Sequence, residues 1–229
     1  CNQVVNSINY ATAKKQAGIN LRVLNASFGG YIGDNTVRDA IPLAGEAGIL
    51  LVAAARNDNY NDDLLPLYPV SYDLPNIISV AATDSQDALA GFSHFGLTSV
   101  DLAAPGVAIR STLRYTSGSD PKYGNATGTS QAAPHVSGVA ALALSQTPTA
   151  KYSDVRDAIL SSTDAVSSLV GKTVTGGRLN AARALEAILP NTSPASLAHF
   201  GDQSDETILI RLNPSNPSLV DVVVNSVLF

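Results

Sequence analysis

The sequence predicts an α/β protein built on a parallel sheet with helices on both faces, and three observations predict it. The runs GILLVAAA (48–55) and NIISVAAT (76–83) are continuously apolar, the pattern of strands buried on both faces rather than strands with one wet face. Strand-like and helix-like segments alternate along the chain, an order that a parallel sheet with right-handed crossovers accommodates. Of 229 residues, 45% are hydrophobic and only 14% charged, which suits a buried core and not a disordered chain.

Each element follows from its residues. Val4, Val5, Ile8 and Ala11 share one face of a predicted helix over 3–17. A short strand is expected over 22–26, followed by the loop SFGGYIGDN. Asp34 or Asn35 can cap a helix reaching residue 47, with Pro42 expected to disturb it. VDLAAPG (100–106) is a third, weaker strand. Helices are then expected in the segment after Ser130, over 154–161 behind a Ser153 cap, and over 181–188 behind Asn180. After Pro190, PNTSPAS reads as a linker, and ETILIRL and LVDVVVNSVLF are β-patterned. The expected organisation is one domain over 1–190, then a linker and the start of an appended β module over 191–229.

Composition excludes several function classes. The net charge is −5 and no run of Lys or Arg exceeds two residues, so a nucleic-acid partner is not expected. The longest nearly apolar stretch, 132–144, is interrupted by Pro134, His135, Ser137 and Gly138 and is too short to span a bilayer. Cys1 is the single cysteine, so no internal disulfide is possible. With no methionine at all, the chain is expected to begin downstream of its translation start.

The chemistry concentrates in GNATGTSQAAPHVSGVAALALSQ (124–146), where Ser130 stands among small residues at the mouth of an uncharged helix. Ser130 can be read as a helix cap. A bare serine at a helix start is more often such a cap than a nucleophile. A helix N-terminus nevertheless presents unpaired N–H groups and a positive dipole end that stabilise negative charge, so a nucleophile is the other reading. Pro134 suits a helix start, where its missing N–H costs nothing.

GTSQAAPHVSG closely resembles the nucleophile segment of the subtilases, the subtilisin-like serine peptidases, and further similar stretches follow the family's order. LNASFGG resembles the substrate-binding strand, LLVAAARNDN the strand and loop of the oxyanion asparagine, and GGRLNAARAL the closing helix. The resemblance covers about residues 3–189 and implies a subtilisin-like fold. It implies Ser130 as nucleophile and Asn57 as side-chain oxyanion donor. Ser27, Phe28, Gly29 and Thr129 would bind an extended polypeptide through its backbone, and Ala54, Ala55 and Arg56 would shape the pocket for the residue before the scissile bond. The Tyr68–Pro69 bond is expected to be cis. His135 matches a structural histidine, expected to be buried and hydrogen-bonded; His94 is expected in an exposed loop and His199 in the tail. No cofactor is required, although Asp101 matches a position that in some subtilases helps hold a cation such as a structural Ca²⁺; the other reading of Asp101 is a surface or capping aspartate.

Two departures qualify the resemblance. The chain has neither the Asp-Ser/Thr-Gly nor the His-Gly-Thr-His motif that supplies the aspartate and histidine of the family's triad. The first part of the domain, with several strands of the sheet, is therefore expected to lie before Cys1, and this chain alone is expected to be inactive. Arg56 stands where the family usually has glycine, and is expected either to favour acidic substrate side chains or to mark a protein without activity. The main expectation is an extracellular or cell-surface serine endopeptidase acting through an acyl-enzyme on Ser130. The alternative is a non-catalytic peptide-binding module of the same fold.

Overall fold

Every residue of Leu50–Ala54 and Ile77–Thr83 is buried, and these two strands lie side by side inside the sheet. The computed structural model describes residues 2–112, 123–189, 207–213 and 216–225. PNTSPAS and His199 fall outside them. Contacts divide the chain into two units, Cys1–Ile188 and Leu189–Phe229.

In the first unit the order is α1 (Asn2–Gln16), β1 (Val23–Ala26), α2 (Asn35–Glu46), β2 (Leu50–Ala54) and β3 (Ile77–Thr83). Then come β4 (Leu102–Pro105), β5 (Ile109–Thr112), β6 (Tyr123–Ala126), α3 (Thr129–Gln146), α4 (Tyr152–Ser161), β7 (Asp164–Ala165), β8 (Gly177–Arg178) and α5 (Ala181–Ala187). The sheet runs β1-β2-β3-β4-β8-β7. The first five are parallel, and β7 pairs antiparallel to β8. The α/β reading is correct, with a short antiparallel edge that the sequence did not signal. The β5–β6 hairpin, also antiparallel, has too few alternating residues to be read as strands.

Strand alternation explains the two helical layers. Leu50, Val52, Ala54, Ile78, Val80 and Ala82 point into one core with Ala132, Val136 and Ala140 of α3 and Val155 and Ile159 of α4. Leu51, Ala53, Ile77 and Ala81 point the other way, into a core with Ile8 of α1 and Val37 and Ile41 of α2. Successive residues of a strand face opposite sides, so apolar residues at every position are what two cores require.

Three local expectations are corrected. Pro42 does not interrupt α2, which runs on to Glu46 behind its Asp34 cap; Arg38, whose carbonyl loses a partner, is exposed to water. Ser153 is not the cap of α4. That helix starts at Tyr152 behind Lys151, whose N–H donates to the Asp154 carboxylate at 2.8 Å. Pro134 is not in the first turn of its helix but sixth in α3, so the N–H it lacks would have met the carbonyl of Ser130.

In the second unit, β9 (Thr207–Asn213) and β10 (Asn216–Asn225) form an antiparallel pair whose register shifts between Asn216 and Val220.

Candidate functional site

Three chain segments meet where β1 and β2 end and α3 begins. Gly128 caps α3 with φ 154° and ψ 165°, a region that glycine alone visits readily. A Cβ there would stand 3.3 Å from Asn57 Nδ2 and 3.0 Å from Gln131 Oε1. Ser130 is therefore the second residue of the helix and not its cap.

The carbonyl orphaned by Pro134 finds a partner across the site. Ser27 Oγ, just beyond β1, donates to Ser130 O at 3.0 Å, and Ser130 Oγ donates to Ser27 O over a longer 3.4 Å. Asn25 Nδ2 donates to Ser27 Oγ at 2.8 Å, and Ser137 of α3 donates to Asn25 Oδ1 at 2.9 Å. A short relay of side chains thus ties the end of β1 to two positions on α3.

From β2 the chain passes through Arg56, whose φ is +97°. A side chain held at such an angle costs on the order of 1–3 kcal/mol. The turn is fixed by three bonds: Arg56 N–H donates to Thr129 Oγ1 at 2.9 Å, while Asn57 Oδ1 accepts from Thr129 N at 2.8 Å and from Thr129 Oγ1 at 3.1 Å. With Oδ1 committed to Thr129, the amide Nδ2 is the Asn57 group left to point elsewhere.

Ser27, Phe28, Gly29, Ala54, Arg56, Asn57, Thr129 and Ser130 line one cavity of about 160 Å³. Eight of the nine sequence-selected residues at this end of the sheet thus meet. Ala55 does not, because the alternation of the strand turns it into the opposite core, beside α1 and α2.

Among the described residues Arg56 is the one charged residue lining the cavity, and sequence reasoning missed its partners. Its Nε donates to Asp58 Oδ2, and its guanidinium carbon lies 4.7 Å from the centroid of the Tyr31 ring. The Tyr31 hydroxyl donates to the same Asp58 oxygen at 3.3 Å. Asp58 is two residues along the same turn and gave no motif; Tyr31 is distant in sequence.

His94 is not exposed, as its loop sequence suggested, but fully buried. Its Nδ1 lies 2.7 Å from Asp62 Oδ1, equally buried, and its N–H donates to Arg56 O at 3.0 Å. Burial, helped by neighbouring Asp63, pushes the Asp62 carboxyl up to about 8. Burial likewise holds the His94 imidazole below its ordinary value. The reason for the pair is spatial: loops 57–63 and 92–96 close on each other, which sequence separation hid. His135 is hydrogen-bonded, Nδ1 lying 2.9 Å from Gln131 O, but half-buried instead of buried. The Tyr68–Pro69 bond is cis.

Asp101 lies apart from the cavity. Its Oδ2 accepts from Ser79 N at 2.8 Å and its Oδ1 from Arg156 Nη2 at 3.0 Å. Both oxygens face donors, one of them cationic, an arrangement that suits a buried structural carboxylate better than a cation ligand. Among the described residues no three His, Cys, Asp or Glu side chains gather closely enough to hold a metal ion, and no helix is long and apolar enough to cross a membrane.

Comparison with known proteins supplies a family. The sequence pattern of the Subtilase family matches residues 2–190. Subtilisin NAT of Bacillus subtilis subsp. natto is 38% identical over 155 residues, 67% of this chain and 37% of that protein. Thermitase of Thermoactinomyces vulgaris is 38% identical over 183 residues, 80% of this chain and 59% of that protein. Among solved structures, a protease from Pseudoalteromonas arctica aligns with a TM-score of 0.64 at 30% identity, covering 73% of this chain and 51% of the other. The prenylagaramide maturation protease PagA aligns with a TM-score of 0.67 at 27% identity, covering 82% and 68%. The chain thus spans between 37% and 59% of the length of the two curated relatives.

Proposed function

The chain belongs to the subtilase family, and on that premise we propose that the protein of which it is part is a serine endopeptidase with Ser130 as nucleophile. The observation that carries the reading is the convergence of Ser130, Asn57 and the Ser27–Gly29 backbone on one cavity at the N-terminus of α3.

In the proposed reaction, an extended peptide pairs with the chain at Ser27–Gly29, which brings its scissile carbonyl to Ser130. Ser130 Oγ attacks the carbonyl carbon and gives its proton to an imidazole base. The carbonyl oxygen becomes an oxyanion, which the Ser130 N–H at the helix N-terminus and Asn57 Nδ2 stabilise. Collapse expels the amine, which takes the proton, and leaves an acyl ester on Ser130. Water then repeats the sequence and releases the acid. Thr129 acts on Asn57: it accepts the Arg56 N–H and binds Oδ1, so the amide is held without reorganisation during the reaction.

In this reading the imidazole base and the carboxylate that orients it are not supplied by the described histidines. Among the described residues, His94 is engaged with Asp62 and His135 with its own helix. An extracellular or cell-surface location is part of the same reading and rests on the family alone.

The test is labelling of the full-length protein with a fluorophosphonate, followed by peptide mapping. Modification at Ser130, lost in Ser130→Ala, is expected. Peptide binding without any modification would instead identify a non-catalytic peptide-binding module, and modification at another serine would overturn the assignment.

A further inference from the structure

Resting on Ser130 as the reacting residue, we infer that Arg56 makes this a site selective for an acidic side chain on the residue before the scissile bond. The cavity opens beside Ser130, so a peptide whose carbonyl sits at Ser130 has its adjacent side chain within reach of it. Among the described residues its other lining groups are a glycine, an alanine, hydroxyls, an amide and a phenylalanine, so Arg56 is the one lining residue that carries a charge.

That guanidinium is held, not loose. Asp58 accepts from Nε, and the Tyr31 ring supports it. Among the described residues nothing accepts from Nη1 or Nη2, so the edge that can grip a carboxylate with two parallel hydrogen bonds is unused. A planar group oriented by two neighbours loses little further freedom when it binds. The positive φ of Arg56 bears on the same point, since the turn would be easier for glycine.

Asp58 gives the inference its sharper edge. Its carboxylate competes with a substrate carboxylate for the same cation, so the two residues have opposite effects. Removing Arg56 should abolish acidic preference, and neutralising Asp58 should strengthen it.

The experiment has two arms on the full-length protein. In the first, the Ser130→Ala form binds uncleaved peptides that differ only in carrying Glu or Phe at the position before the expected cleavage site. Glu is expected to bind at least about tenfold more tightly at low salt. Arg56→Gly is expected to erase or reverse that ratio, and Asp58→Asn to raise it several-fold. In the second arm, kcat/KM for the same peptides is compared in proteins with Ser130 intact. Equal preferences in the parent and in Arg56→Gly, or a preference for Phe over Glu in the parent, would overturn the inference. Absence of turnover with acidic preference retained in the binding arm would sink the nucleophile reading and leave the pocket assignment standing.

Discussion

Ser27 and Ser130 hydrogen-bond to each other's carbonyls, at 3.0 Å from Ser27 Oγ and 3.4 Å from Ser130 Oγ. The shorter bond exists because Pro134 cannot donate to Ser130 O, and Ser27 supplies the missing donor. It therefore joins the end of β1 to the first turn of α3 at the residue proposed to react. Ser27→Ala leaves a part-buried carbonyl without a partner, for which about 1–3 kcal/mol of lost stability is expected. Turnover should fall as well, by about tenfold, because misplacement of a nucleophile is costly. Urea unfolding and peptide hydrolysis measure the two effects. Unchanged values for both would mean that α3 orients Ser130 without help from β1.

Asn57→Ala removes the proposed oxyanion donor while leaving Ser130 in place. Turnover is expected to fall about 100- to 1000-fold, the cost measured for such a donor in a subtilisin, with KM little changed because the charge exists only in the transition state. Fluorophosphonate labelling should persist at a reduced rate. A rise in KM with kcat retained would show that Asn57 binds substrate instead.

Much of this was legible in the sequence because the signals are local. Two-sided apolar strands announced the sheet, Asp34 and Asn180 announced helix starts, and one uninterrupted segment carried Ser130 with its flanking motif. What stayed hidden depends on distance in space. The alternation of β2 decides that Ala54 lines the cavity and Ala55 does not, but only once the strand's facing is known. The partner of Arg56 across the site is Tyr31, 25 positions earlier, and His94 meets Asp62 across 32 positions. Neither pairing leaves a mark in composition or spacing. Even the role of Pro134 needed the structure, since its effect is felt at Ser27.

The buried Asp62–His94 pair predicts a pH dependence of stability. Folding raises the proton affinity of Asp62, whose carboxyl is pushed up to about 8, chiefly by burial. The folded state then holds a proton that the unfolded state has released, so stability falls as pH rises through this window. His94 acts in the opposite sense. Burial lowers its affinity, and stability gained from that source grows with pH only up to the ordinary value of 6.5. Of the two, only Asp62 still loses stability as pH rises from 6.5 to 8, by no more than about 1.4 kcal/mol per pH unit. Urea midpoints should decline over that range in the parent protein and stay level in Asp62→Asn. A decline of the same size in both would place the titrating group elsewhere.

Thr129 offers the cleanest separation of positioning from binding. It is fully buried, and its hydroxyl performs two tasks at once: it accepts from Arg56 N and donates to Asn57 Oδ1. Valine has the same shape without the hydroxyl. Thr129→Val should therefore leave the Arg56 N–H unpaired and the Asn57 amide held by a single bond, at an expected cost of about 1–3 kcal/mol in stability. Asn57 then reorients more freely, and the loss should appear in kcat, by about tenfold, because preorganised donors act on the transition state. KM should move little if the Thr129 hydroxyl, already engaged with Arg56 N and Asn57 Oδ1, makes no bond to substrate. Thr129→Ser retains the hydroxyl and should recover most of the turnover. If valine and serine variants lose kcat equally, the methyl group is what the site needs, and the hydroxyl bridge between Arg56 and Asn57 is incidental to the chemistry.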